Sequence, residues 1–134
     1  MAASREPVTT SAMHENVTLR LRPDGPAVAA MLSIGIGALL MAIIVGLSDA
    51  NKPFEANVVH TLGKLWVPGA EGIGPYSGKF TFFLLGWLLS WAGLHFAFKG
   101  RDLDLSKWTV ASLVVIGLAI LLVWPPITLA IFVR

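Results

Sequence analysis

Three long apolar runs alternate with polar stretches along the chain. The first covers residues 26–47 (PAVAAMLSIGIGALLMAIIVGL) and holds no charged residue. The second covers 80–98 (FTFFLLGWLLSWAGLHFAF) and stops at Lys99-Gly100-Arg101-Asp102; the third covers 108–134. A helix needs about 20 apolar residues to cross a hydrocarbon core roughly 30 Å thick. None of the runs alternates with a period of two, and backbone groups in lipid must be satisfied within their own element. The pattern therefore predicts three transmembrane helices rather than a barrel. Pro26 suits a first helical turn. Pro125-Pro126 removes two backbone donors from the third run. Either that span ends near Trp124 and the tail lies along the interface, or a kinked helix continues. The apolar segment ITLAIFV favours the kinked helix over 108–134.

The first loop, 48–79, has a pattern of its own. Phe54, Val58, Leu62, Leu65 and Trp66 recur at helical spacing, with Glu55, Asn57, Thr61 and Lys64 on other sides. The spacing predicts an amphipathic interfacial helix over 54–66, with Trp66 of the type that prefers the headgroup layer. Glycine and proline then crowd 68–78 (PGAEGIGPYSG), which predicts an irregular, shaped loop. Trp66, Pro68, Gly72, Gly74, Pro75 and Tyr76 are the candidates for docking on a neighbouring subunit. A phosphate loop is a poor reading, since no strand precedes the glycines and Lys79 is not followed by Ser or Thr. Residues 1–25 form a polar tail in which Val17, Leu19 and Leu21 alternate with Thr18, Arg20 and Arg22. A lone strand has no stability of its own. Residues 99–107 form a short second loop. Ser48-Asp49-Ala50 ends like a signal cleavage site, but the run before it exceeds the usual 7–15 residues of a signal peptide, so a retained helix is expected.

Composition agrees with the pattern. The chain is 55% hydrophobic and 13% charged, against about 25% charged in an average soluble protein. Its mean hydropathy of +0.73 excludes disorder. The pI is about 9.3, yet the net charge is +2 and the ten basic residues are scattered, which argues against nucleic acid. There is no cysteine and hence no disulfide framework. The expected fold is an all-α integral membrane protein with three transmembrane helices and a short amphipathic helix in the first loop. Arg5, Arg20, Arg22, Lys99, Arg101 and Lys107 fall on one side of the spans, and Lys52, Lys64, Lys79 and Arg134 on the other. That bias places the N-terminus inside and the C-terminus outside, in a bacterial cytoplasmic membrane.

Small residues mark the faces on which membrane helices approach one another. Ala29, Ser33 and Gly37 form one such stripe on the first helix, with Ala38, Ala42 and Gly46 beside it. Gly86, Ser90, Gly93 and Ala97 form another on the second, roughly 100° from the aromatic face of Phe80, Phe83, Trp87, Trp91 and Phe98. His95 is the one ionisable residue well inside a span, which makes it a functional candidate. It can stand as a neutral, hydrogen-bonded residue, as an axial ligand to haem or chlorophyll, or as part of a quinone site. His14 and His60 are poorly placed to be a second ligand. The sequence His95, Gly100-Arg101, Asp104 resembles, over ten residues, the histidine and Gly/Arg/Asp loop of the haem-anchor subunits of succinate dehydrogenase. The spacing departs from that pattern, so no site is carried over.

Every Asp and Glu lies in a tail or loop, and no internal repeat is present. Intramembrane catalysis and transport normally need facing titratable groups or broken repeated helices. The expected function is thus a non-catalytic accessory subunit of a multisubunit membrane complex, respiratory or photosynthetic. Its partners would be lipids and other integral membrane subunits. The alternative is an anchor subunit that binds haem, chlorophyll, carotenoid or quinone through His95.

Overall fold

The computed structural model describes residues 23–133, which are 84% helical and contain no strand. The alternating segment 17–22 and Arg134 lie outside the described residues. Helix α1 is Gly25–Ala50. Helix α2 runs through Lys52–Phe54, a π-helical turn Glu55–Val59, and His60–Lys64. After a 3-10 turn at Ala70–Ile73 come α3 (Tyr76–Phe98), α4 (Leu105–Val123) and α5 (Pro125–Phe132). Three of these, α1, α3 and α4, are long and apolar enough to cross a membrane.

All three long helices start or end a little outside the predicted bounds, for local reasons. In α1 the Ser48 hydroxyl donates to the Ile44 carbonyl at 2.7 Å, and the helix continues to Ala50. The chain then turns at Asn51, whose Oδ1 accepts from the Phe54 amide and caps α2. At α3 the positive φ of Gly74 turns the chain into Pro75, and the Lys79 amide donates the first helical bond to the Pro75 carbonyl. Tyr76 to Lys79 are thus the first turn of a helix rather than the end of the loop. Asp104 starts α4 by accepting from the Lys107 amide.

The three long helices form a row with α1 in the middle. α1 packs against both α3 and α4, whose backbones nowhere approach each other closely. In its most apolar window 39% of α1 is buried, against 6% for α3 and 11% for α4, so the core is α1 and its two seams. Those seams are set by glycines two residues apart, roughly 200° around the helix. A Cβ on Gly37 would stand 2.9 Å from the Trp87 Cβ and 3.0 Å from the Phe83 carbonyl of α3. A Cβ on Gly35 would stand 3.1 Å from the Val115 side chain of α4. Gly46, on the Gly35 side, receives the ring of Phe132 from α5.

The prolines break the third run instead of kinking it. Trp124 is extended (φ −65°, ψ 122°) and a separate helix begins at Pro125. Pro125 and Pro126 cannot donate to the carbonyls of Leu121 and Leu122, four residues back. The Trp124 amide donates to Leu121 at 3.2 Å, and the buried Thr128 hydroxyl donates to Leu122. Both orphaned carbonyls are satisfied, so α5 can fold back onto α1.

Two outcomes are expected. Gly37→Ala should destabilise the chain by about 1–3 kcal/mol through overpacking, whereas Gly93→Ala, with no atom within 4 Å of its new Cβ, should not. Thermal unfolding in detergent micelles compares them. Thr128→Val keeps the shape but strands the Leu122 carbonyl, and should cost about 1–3 kcal/mol in the same assay.

Candidate functional site

The predicted small-residue faces are half occupied. On α1, Ala29, Ser33 and Gly37 are buried, as are Ala42 and Gly46 of the adjacent stripe. On α3, Gly86 lies 3.4 Å from the Gly37 Cα when given a Cβ, and the Ser90 hydroxyl reaches the Ser33 carbonyl at 3.4 Å. Gly93 and Ala97 do not join this seam; both are exposed. The seam is rotated toward the aromatic side of α3, through the backbone of Phe83 and Trp87. At the crossing both helices lack a side chain, at Gly37 and Gly86, while the rotation of α3 leaves Gly93 and Ala97 outside it.

His95 is half-buried in the last turn of α3. Its ring lies 5.5 Å from that of Trp91 and 6.0 Å from that of Phe96. Among the described residues no three His, Cys, Asp or Glu side chains gather as a metal-binding group.

The loop candidates are brought together less than their sequence proximity suggests. Pro68 and Gly72 are exposed, Gly74 and Pro75 are half-buried, and Tyr76 projects from the first turn of α3. Trp66 is tethered: its indole N–H donates to the Thr81 hydroxyl at 3.0 Å, and Thr81 donates to the Ser77 carbonyl at 2.7 Å. The amphipathic helix spans 52–64 rather than 54–66, and its inward face differs from the predicted one. The π turn inserts a residue, so Phe54, Val59 and Gly63 align toward the protein while Val58 and Leu65 face outward. Gly63 meets the Ser77 side chain and Gly78 meets the Val59 carbonyl, a close crossing that period-3.6 counting missed.

At this end of the row sit the polar groups that sequence reading left in a loop. Lys79, only 9% exposed at its side chain, faces Asp49 at 4.0 Å and the Tyr76 ring at 5.8 Å. Asp49 is in the last turn of α1 and Lys79 in the first turn of α3, so each opposes its own helix dipole. Because the helices are antiparallel, each charge lies beside the end of the neighbouring helix that favours it. An acid closing one apolar run and a base opening the next was the available signal.

A cavity of about 310 Å³ beside α2 is lined by Lys52, Glu55, Ala56, His60 and Pro75. Lys52 donates to Glu55 at 2.9 Å, and that hydrogen bond raises the ammonium pKa above its ordinary value. The lysine therefore keeps its charge at neutral pH, and its side of the pair is lost as pH rises through the raised value. The pair is solvent-exposed and contributes little. His60 Nε2 and Ser77 Oγ are buried without a hydrogen-bond partner among the described residues.

Compared with protein-family models, curated proteins and solved structures, the chain matches none of them.

The Asp49–Lys79 pair should respond asymmetrically. Asp49→Asn leaves a buried ammonium without its counter-charge and should cost about 2 kcal/mol. Lys79→Met leaves only a carboxylate that is 44% exposed and should cost less. Equal losses in thermal unfolding would contradict the burial argument.

Proposed function

We propose that this chain is an integral membrane protein that acts as a non-catalytic subunit, packing against other membrane polypeptides. The observation that carries the reading is the open row. Among the described residues α1 is covered along its length on two opposite sides only, and the broad faces of the row are apolar. Leu89 is 70% exposed, Phe96 75% and Ile120 66%. In water such surface would far exceed the few hundred Å² that a monomer tolerates; in a bilayer it costs nothing. The polar side chains within the spans support the same setting. The hydroxyls of Ser33, Ser48, Thr109 and Ser112 each donate to a carbonyl of their own helix. In the charge-derived orientation the Gly25 end faces inward and the Ala50 end outward.

The exposed Gly93–Ala97 face of α3 is where a partner helix can come close, because none of the described residues fills it. Purification from native membranes in mild detergent, with co-purifying polypeptides identified by mass spectrometry, tests the reading. The expected result is a stoichiometric set of integral membrane partners, reduced at least severalfold by Gly93→Leu while the chain's own melting temperature is unchanged. A chain recovered alone and monodisperse, or one turning over a substrate by itself, would refute it. A visible absorption band lost in His95→Ala would instead identify a pigment- or haem-binding anchor.

A further inference from the structure

We propose that α2 lies in the plane of the bilayer at the Ala50 end, with Val58, Leu62, Leu65 and Trp66 sunk into the acyl boundary of that leaflet and Asn57, Thr61 and Lys64 in water. The proposal rests on the membrane reading above and adds to it a lipid-binding surface outside the three spans.

α2 crosses α3 instead of running along it. Gly63 meets Ser77 of α3, and Val59 meets the adjacent Gly78. Val59 and Gly63 are one turn apart, about 6 Å along α2, whereas Ser77 and Gly78 are about 1.5 Å apart along α3. The crossing falls in the first turn of α3. That helix has 23 residues, about 34 Å at 1.5 Å per residue, against a hydrocarbon core of roughly 30 Å. Its first turn is therefore close to the hydrocarbon boundary, and α2 lies along that boundary.

Three faces follow one another around α2. The Val67 amide donates to the Gly63 carbonyl at 3.1 Å, which carries the helical turn past Trp66. Val59 and Gly63 are buried against α3. At about 100° per residue, Val58, Leu62 and Leu65 fall within a sector of roughly 60°, with Trp66 between it and the buried seam. Leu65 is 74% exposed. Asn57, Thr61 and Lys64, all exposed, fall on the opposite side.

Two contacts fix which exposed face points into the bilayer. Trp66, beside the apolar face, reaches past the crossing: its indole N–H donates to the Thr81 hydroxyl, about 8 Å into α3 from Tyr76 at 1.5 Å per residue. His60, beside the polar face, lines a cavity together with Pro75, the residue before α3. The apolar face is thus turned along the span and the polar face away from it. A depth of about 8 Å falls within the roughly 5–10 Å to which an interfacial helix sinks its apolar side. Because its N–H is used within the chain, the exposed Trp66 ring presents only apolar surface at that level, where acyl chains adjoin α3.

The chain has no cysteine, so single nitroxide labels can test this. One pair is Val58→Cys and Leu65→Cys, a second is Asn57→Cys and Thr61→Cys, and Leu89→Cys marks the middle of α3. All these positions are exposed, and circular dichroism checks that each labelled chain stays helical. The full chain in dioleoyl phosphatidylcholine vesicles is treated with oxygen, which concentrates among acyl chains, or with a water-soluble nickel chelate. The oxygen-to-nickel collision ratio should be severalfold higher for the first pair than for the second, at a depth of about 5–10 Å. Equal ratios in the two pairs, or a first pair shielded from both reagents by a second copy of the chain, would overturn the proposal. The Leu89 label separates the two readings. If it lies in hydrocarbon while the two pairs are equal, only the placement of α2 fails; if nickel reaches it freely, both readings fail.

Discussion

Close approach at two glycines of α1 organises everything else in the molecule. Gly35 and Gly37 point to opposite sides of the helix, and each lets another helix come to within van der Waals distance of the α1 backbone. Among uniformly apolar helices in lipid, burial gives no preference for one face over another, and shape decides. The central helix therefore ends up with a neighbour on each side, and the row stays open because α3 and α4 are held apart by α1 itself.

The second constraint is that a freed backbone group must find a partner. The double proline strips donors from two adjacent carbonyls, and the chain answers with the Trp124 amide and the Thr128 hydroxyl. Once those carbonyls are satisfied, the helix axis is free to break, and Phe132 can reach Gly46. The break is thus a docking device for α5. At the Ala50 end the same economy appears in charges. Asp49 and Lys79 sit at the unfavourable ends of their own helices and are stabilised by each other and by the neighbouring dipoles.

Much of this was legible before any coordinates. The three apolar runs, the amphipathic segment and the disruption at Pro125-Pro126 all follow from residue order. The buried stripe Ala29, Ser33, Gly37 was legible too, because small residues at intervals of four mark one face of a helix. The reading went astray at Gly93 and Ala97, which share a sector with Gly86 but face away from α1. It went astray again in α2, where Val58 was counted inward and Val59 is. In the first case, the rotation of α3 about its axis decides which of its small residues meet α1: Gly86 does, and Gly93 and Ala97 do not. In the second, one π turn displaces every later position by one residue, and hydrophobic spacing does not register that insertion.

Residue order by itself determined which segments are helical, that the third run is disrupted at Pro125-Pro126, and which stretches are apolar, but not the exact helix bounds nor that the prolines break that run into two helices. These are local matters, governed by backbone donors, side-chain polarity and the length of uninterrupted runs. Only the tertiary structure decided that α1 lies between its neighbours, that Gly93 is free, that Lys79 is buried against Asp49, and that α5 returns to Gly46. Each of those depends on the rotation of one helix about its axis relative to another. That rotation is set by the few contacts that come closest, and for helices apolar on every side the composition of a face does not specify it.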